Sequence, residues 1–183
     1  MTKTEARKLA KACRAAVDLH TVGHAMAGVL FALPAWQHAD TVLAFASMPD
    51  EPDTADILRQ ALAEGKRLLL PRVLSRTEMD WVEITALSQL QPGAYGILEA
   101  PASLPAFDTA HLGDGALALI PCLAASPDGV RLGRGGGYYD RFLAHYKGRR
   151  LLVCPTAALL GYLPCEGWDV RFSPHEILTE NGI

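Results

Sequence analysis

The chain has 183 residues and a mass of 19.7 kDa, a length that predicts one domain with a full hydrophobic core. Hydrophobic residues make up 50% of the chain and charged residues 20%, which excludes global disorder. The formal net charge of −3 argues against a general nucleic-acid-binding protein. The polar N-terminus does not resemble a secretory signal, and the apolar stretch 25–33 is too short to span a bilayer. We therefore expect a cytoplasmic protein without nucleic-acid or membrane partners.

Four cysteines, Cys13, Cys122, Cys154 and Cys165, are far apart in the sequence and form no CxxC motif. We expect them to be small buried side chains in a reducing compartment.

The first predicted helix runs from Thr4, its candidate N-cap, to about Val17, and is rich in Ala, Lys, Leu and Arg. Arg7 and Arg14 are seven residues apart and share one helix face, with Lys3 about one turn earlier. Spacing alone favours a solvated cationic face.

A second helix is predicted from about His20 to Leu33, ending before Pro34. His20 and His24 have the i, i+4 spacing of metal ligands. No third ligand lies nearby in the sequence, so we expect ordinary surface or core histidines.

A strand–helix–strand unit follows. It consists of a buried strand Thr41–Ala46, an amphipathic helix Thr54–Glu64 with Gly65 at its C′ position, and a strand Arg67–Pro71. Such a unit predicts a parallel strand pair joined by a crossover helix. Ligands of parallel sheets gather at the carboxyl ends of the strands.

The remaining elements are a half-exposed strand, a turn-rich stretch, two buried strands and a short terminal strand region. In order they are Met79–Ile84, Leu90–Pro101, Ala116–Ile120, Arg150–Cys154, and Trp168–Arg171 with Glu176–Thr179. The pattern predicts a three-layer α/β fold, with a central, mainly parallel sheet flanked by helices and a single domain over residues 1–183.

The segment Arg131–Arg141, RLGRGGGYYDR, carries the strongest chemical signal, with glycine at four of its eleven positions. Glycines let successive N–H groups converge, a following helix adds partial positive charge, and arginines add charge-assisted donors. This predicts phosphate binding rather than a plain turn. Two tyrosines after Gly137 exclude a Walker A loop and the dinucleotide fingerprint. Asp140 beside a phosphate indicates a metal ion.

Glu51 is a second candidate. The segment Met48–Glu51 and the glycine loop both follow buried strands, so both should open on the same sheet edge. The alternative is a solvated loop acid.

The chain resembles, from end to end, the 5-formyltetrahydrofolate cyclo-ligases, also called 5,10-methenyltetrahydrofolate synthetases. The most specific matching segment is Arg131–Arg141. Further matches in family order are Lys3, Arg7 and Arg14, then Ser47–Glu51, Leu70–Arg72, Met79, Gly96–Glu99, Trp168–Val170 and Thr179–Glu180.

This resemblance implies an ATP- and Mg²⁺-dependent ligase of one-carbon metabolism. It would cyclise 5-formyltetrahydrofolate to 5,10-methenyltetrahydrofolate through phosphorylation of the formyl oxygen, releasing ADP and phosphate. The implied ATP site consists of Lys3, Arg7, Arg131, Gly133, Arg134, Gly135, Gly136, Gly137, Tyr138 and Tyr139. The implied folate site consists of Met48, Glu51, Arg14 and Tyr139, and the implied Mg²⁺ ligands are Asp140 and Asp169. For Lys3 and Arg7, the implied ATP contact replaces the interpretation as a solvated cationic face.

Two alternatives stay open. Many family members carry a glycine, an aliphatic residue, alanine and an aromatic residue, with a glutamine nearby, where this chain has Leu152–Gly161 with Pro155 and no glutamine. This departure is compatible with ATP-dependent activation of another small carbonyl or carboxylate substrate. The other alternative is a non-catalytic nucleotide- or folate-binding regulator, against which the retained Asp140 and complete glycine loop argue. The sequence leaves the oligomeric state open.

Overall fold

The computed structural model describes residues 1–93 and 97–183, so Gly96 of the family segment Gly96–Glu99 lies outside the described residues. The helices are α1 (Lys3–Ala15), α2 (Leu19–Ala32), α3 (Pro34–Gln37), α4 (Ala55–Ala63) and α5 (Tyr138–Leu143). The strands are β1 (Thr41–Leu43), β2 (Arg67–Val73), β3 (Met79–Ile84), β4 (Gln91–Pro92), β5 (Leu98–Glu99), β6 (Ala116–Pro121), β7 (Ala124–Ala125), β8 (Arg131–Leu132), β9 (Arg149–Val153) and β10 (Ile177–Leu178).

The central sheet has the strand order β10-β9-β6-β1-β2-β3 in the described part of the chain. Neighbouring strands are parallel except β3, which pairs antiparallel with β2. Val42 in β1 lies between Leu68 of β2 and Leu117 of β6. The predicted β1–α4–β2 crossover and the mainly parallel sheet are therefore confirmed.

Helices cover both faces of the sheet. On one face, α1 and α5 pack on inward-facing strand residues, with Ala6, Ala10, Leu43, Leu69, Ile120 and Leu143 in one buried cluster. On the other face, α2, α3 and α4 pack on the alternate strand residues, with Leu30, Trp36, Val42, Ile57, Leu68 and Leu117 in a second buried cluster. This alternation is the period-2 pattern of a strand covered on both sides, and the predicted three-layer fold is confirmed.

The first helix is capped by Thr2, so the prediction of Thr4 as the cap was wrong. The Thr2 hydroxyl accepts a hydrogen bond from the Glu5 N–H group, and the Glu5 carboxylate accepts one from the Thr2 N–H group. This reciprocal capping box satisfies two helix-end donors and fixes the start of α1 at Lys3.

Two features of the C-terminal half differ from the prediction. Ala124 and Ala125 pair with Leu132 and Arg131 in a short hairpin just before the glycine loop, and this hairpin was not predicted. The segment 168–171 is not a strand, because only Arg171 makes a bridge, to Val130. Strands of two residues are too short to leave a period-2 pattern in the sequence.

The two histidines of α2 are exposed. Nδ1 of His20 lies 2.8 Å from Asp53, and Nδ1 of His24 lies 2.7 Å from Asp56. These surface pairs confirm the prediction of ordinary histidines. In the described part of the chain, no single helix is long and apolar enough to cross a membrane; α1 and α2 pass that test only as a pair bent by 90°.

Candidate active site

A pocket of about 1080 Å³ opens at the carboxyl edge of the central sheet. This exceeds the ~300–1,000 Å³ usual for one small-molecule ligand. The cationic residues of its wall are Lys3, Arg7, Arg76, Arg131, Arg134 and Arg141. The acidic residues of its wall are Glu51, Glu99, Asp140, Glu166 and Asp169. The wall therefore carries side chains of both charge signs together with apolar residues such as Phe45, Met48 and Val73.

The glycine loop connects β8 to α5 and forms part of the pocket wall. Gly135 has a φ of 102° and Gly137 a φ of 66°, conformations that side-chain-bearing residues rarely adopt. A Cβ atom at Gly136 would lie 2.7 Å from the Tyr138 ring. The glycine run is therefore a conformational requirement of this loop.

Two arginines flank the loop and hold its carbonyl groups. Nε of Arg7 donates to the Gly133 carbonyl at 3.1 Å, and Nη2 of Arg141 donates to the Gly136 carbonyl at 2.8 Å. Each guanidinium has further N–H groups available beside the loop. The structure thus brings Arg7 from α1 to the glycine loop, as the family resemblance implied.

Lys3 lies at the pocket wall between two carboxylates. Its Nζ atom is 2.8 Å from Asp169 and 2.6 Å from Glu166. Partial burial lowers the pKa of Lys3, but its hydrogen bonds with Asp169 and Glu166 outweigh burial and raise that pKa above its usual value. Burial likewise opposes the shift at Asp169, whose pKa is lowered by hydrogen bonds from Lys3 and the Glu166 N–H group.

Asp140 lies in the first turn of α5 and pairs with Arg131. The Arg131 Nη2 atom is 2.7 Å from Asp140 Oδ2, and the Arg131 side chain is only 5% exposed. Arg131 also donates to the Pro121 carbonyl at 3.1 Å. Among the described residues, no three His, Cys, Asp or Glu side chains are placed to hold a metal ion by themselves. Asp140 and the second predicted metal ligand, Asp169, line the same pocket, each paired with a cation.

Glu51 is 8% exposed, so the interpretation as a solvated loop acid is wrong for this residue. Its Oε2 atom accepts from the Met48 N–H group at 2.9 Å, and its Oε1 atom lies 3.1 Å from Nη2 of Arg134. Arg134 also pairs with Asp50 at 2.5 Å. Burial opposes the shift at Asp50, but the Arg134 hydrogen bond lowers the pKa of that carboxyl. The loop after β1 and the glycine loop therefore meet through Arg134.

Of the two predicted folate contacts Arg14 and Tyr139, only Tyr139 lines the pocket. Tyr139 lines the pocket and packs edge-on against Trp81, with ring centroids 6.3 Å apart, and burial raises its pKa. Arg14 is 1% exposed and does not line the pocket. It donates instead to the backbone carbonyls of Asp50 and Cys122. Burial of Arg14 also makes the solvated-face interpretation wrong for this arginine.

The pocket residues that were not predicted as site residues include Arg76, Glu166 and Trp168. Arg76 lies in the turn between β2 and β3, and Trp168 is 74% exposed at the pocket. Glu166 is linked to the site by its N–H group, which donates to Asp169 at 2.7 Å. Trp168 belongs to the matched segment Trp168–Val170, whereas the sequence signal for Arg76 and Glu166 was only proximity to matched segments.

The fold and the site together define an α/β protein with a glycine loop and a charged pocket at the carboxyl edge of its sheet. A sequence model of the 5-formyltetrahydrofolate cyclo-ligase family matches residues 2–180, and the chain belongs to that family. The expectation of an enzyme of the ligase class is thereby confirmed.

Similar proteins carry the same name. The 5-formyltetrahydrofolate cyclo-ligase of Mycolicibacterium smegmatis is 30% identical over 151 residues, covering 78% of this chain and 75% of that protein. The Escherichia coli 5-formyltetrahydrofolate cyclo-ligase is 32% identical over 137 residues, covering 72% and 74%. The solved 5,10-methenyltetrahydrofolate synthetase of Aquifex aeolicus is 26% identical, with a TM-score of 0.84 over 100% of this chain and 91% of that chain.

Proposed function

We propose that this chain converts 5-formyltetrahydrofolate to 5,10-methenyltetrahydrofolate with ATP and Mg²⁺. The observation that carries the proposal is the ion pair of Arg134 with Glu51, which joins the glycine loop to the loop after β1 inside one pocket. Two reactants bound to these two loops would lie side by side. Family membership supplies the substrate class.

The ATP phosphates would bind at the glycine loop. Its positive-φ glycines leave the loop backbone open to close approach, and Arg7 and Arg134 border it. Lys3 and Arg131 add charge at the same wall. A pocket that must hold a polyanion needs this density of cationic donors, because charge-assisted hydrogen bonds are about twice as strong as neutral ones.

The folate would lie against the loop after β1. Glu51 is a buried carboxylate that would accept N–H groups of the pterin ring in competition with Arg134, and Met48 and Tyr139 supply apolar surface beside it. The pocket is large enough for this second ligand beside the nucleotide.

The residues present fit a Mg²⁺ ion. Asp140 and Asp169 supply two carboxylates at the wall that also carries the glycine loop. Mg²⁺ is commonly held by one or two carboxylates together with substrate phosphates, rather than by an all-protein cage. When bound, the ion would neutralise charge on the phosphates of ATP.

The chemistry then needs mainly positioning. The formyl oxygen of the folate attacks the γ-phosphorus of ATP, and ADP leaves. N10 of the folate attacks the activated formyl carbon, and loss of the N10 proton and departure of phosphate leave the 5,10-methenyl bridge. Arg131 and Arg134 would stabilise the charge on the transferred phosphoryl group, and the two loops would align oxygen and phosphorus.

Unpaired cysteines support a reducing location. Cys13, Cys122, Cys154 and Cys165 are all free thiols. Disulfides are rare in the cytoplasm, where thiols are kept reduced, so we propose a cytoplasmic enzyme.

A direct assay tests the proposal. Purified chain, Mg-ATP and 5-formyltetrahydrofolate should produce the absorbance of methenyltetrahydrofolate, with one ADP formed per product. Omission of ATP should abolish the signal. If ATP and folate bind but no product forms, the chain is a regulator. If ADP forms only with another carbonyl or carboxylate compound, the enzyme has a different substrate.

A further inference from the structure

We infer that Arg14 is a positioning residue, which ties the loop after β1 to the segment between β6 and the β7–β8 hairpin that leads into the glycine loop, without touching either ligand. The inference rests on the proposed function for its catalytic consequences. Arg14 lies near the C-terminal end of α1, is 1% exposed and does not line the pocket. Its role is therefore different from that of Lys3 and Arg7, which lie on the same helix and do line the pocket.

The two hydrogen-bond acceptors of Arg14 belong to two different loops. Nη1 donates to the Asp50 carbonyl at 2.6 Å, in the loop that follows β1 and carries Glu51. Nη2 donates to the Cys122 carbonyl, directly after β6 and next to the Pro121 carbonyl that accepts from Arg131. Because β1 and β6 are neighbouring parallel strands, Arg14 joins the segments that follow both of them. The next residue, Leu123, donates its N–H group to the carbonyl of Leu132 at 2.7 Å, and Leu132 directly precedes the glycine loop.

Stability alone does not account for this arginine. It has no ion pair within 4.0 Å in the described part of the chain, and its Nε atom is buried without a hydrogen-bond partner. A buried charge without a close carboxylate carries a desolvation cost of several kcal/mol. The planar guanidinium group of Arg14 does provide two rigidly spaced donors for two carbonyl groups.

The spacing of the loops matters because each is proposed to hold one reactant. Arg134 connects the glycine loop to Glu51 directly, and Arg14 connects the loop after β1 to Cys122, two residues before the hairpin that carries the glycine loop. Phosphoryl transfer depends on alignment of the attacking oxygen with phosphorus, and a misplacement of about 1 Å costs on the order of 100-fold in rate. Loss of Arg14 should therefore reduce kcat more than it changes either KM.

The test compares Arg14→Ala and Arg14→Lys with Lys11→Gln, which removes an exposed cation from the same helix. We expect kcat to fall on the order of 10- to 100-fold in Arg14→Ala, with KM for ATP and for folate each within about threefold of wild type. Millimolar guanidinium should restore part of kcat in Arg14→Ala, and equal concentrations of sodium chloride should not. Arg14→Lys retains the charge without the fork, so its kcat should stay low; Lys11→Gln should match wild type.

Three results overturn the inference. A rise in KM for folate alone means that Arg14 contacts the substrate. Unchanged kcat with a lower unfolding midpoint means that it serves stability only. The third readout does not require turnover: amide hydrogen exchange in residues 48–54 and 122–124 should accelerate in Arg14→Ala and slow again with guanidinium. Unchanged exchange overturns the inference whatever the chain catalyses, whereas absence of product with wild type overturns only the proposed function.

Discussion

Replacement of Gly135 by alanine tests whether the observed loop conformation is the one that binds phosphate. Gly135 has a φ of 102°, which is strained for alanine by about 1–3 kcal/mol. The added Cβ would lie 3.3 Å from Nη2 of Arg7, the end of a flexible side chain that is able to move. Backbone strain, rather than a steric clash, is therefore the main cost.

The exposed loop of the variant should relax to another conformation in the free chain. Restoring the original conformation on binding would then cost about 1–3 kcal/mol, which corresponds to roughly 5- to 150-fold weaker ATP binding. Isothermal titration with Mg-ATP measures this change, and thermal unfolding should show a small shift. Gly161→Ala is the matched control, because that glycine lacks a positive φ and its Cβ would meet nothing within 4 Å. ATP affinity within twofold of wild type in Gly135→Ala would refute the assignment of this loop conformation to phosphate binding.

Three further changes test the charges of the pocket. Asp140→Asn retains an oxygen for Arg131 but should abolish Mg²⁺-stimulated turnover; unchanged turnover would remove Asp140 from the proposed metal site. Arg134→Ala should weaken ATP binding by about 10- to 100-fold, because it removes charge-assisted hydrogen bonds to the phosphates. Folate binding should weaken less, and calorimetry measures both affinities. Equal losses for both ligands would contradict this division. The pKa of Asp169 in the folded chain is below its ordinary value of 3.8, so ionised Asp169 stabilises the fold above pH 3.8. This stabilisation is lost as the pH falls through the folded-state pKa. The difference in unfolding free energy between wild type and Asp169→Asn should therefore shrink in urea titrations from pH 6 to pH 3, and a difference that grows would contradict the assignment.

The sheet and the common edge of the site were predictable from local patterns. The apolar runs Thr41–Ala46 and Ala116–Ile120 are typical of strands buried on both faces, and such strands form parallel sheets. Because ligands of parallel sheets gather at the carboxyl ends of the strands, the sequence also predicts that Glu51 and the glycine loop lie together. Strand length was less predictable: β1 ends at Leu43 although the apolar run continues to Ala46 and the Ala44 N–H group still donates to the Leu69 carbonyl of β2.

The partners of the charged residues were not predictable. Heptad spacing placed Arg7 and Arg14 on one face of α1 but did not show whether that face meets solvent. Arg14 is buried by contacts with residues 36 and 108 positions away in the sequence. Likewise, Lys3 contacts Asp169 across 166 positions. Such long-range pairings depend on how the loops close over the sheet edge, which periodicity and composition do not encode.

The ion pairs of the pocket affect how a phosphate ligand would bind. Each proposed phosphate-binding cation with an ion pair has a pocket carboxylate as its partner: Lys3 with Asp169, Arg131 with Asp140, and Arg134 with Glu51. A polyanion alone must compete with these carboxylates for the cations. If the proposed Mg²⁺ were held by Asp140 and Asp169, Arg131 would lose its carboxylate partner, whereas Lys3 would keep Glu166 at 2.6 Å. We therefore expect the proposed ATP and Mg²⁺ to bind jointly, and the proposed folate would have to compete with Arg134 for Glu51.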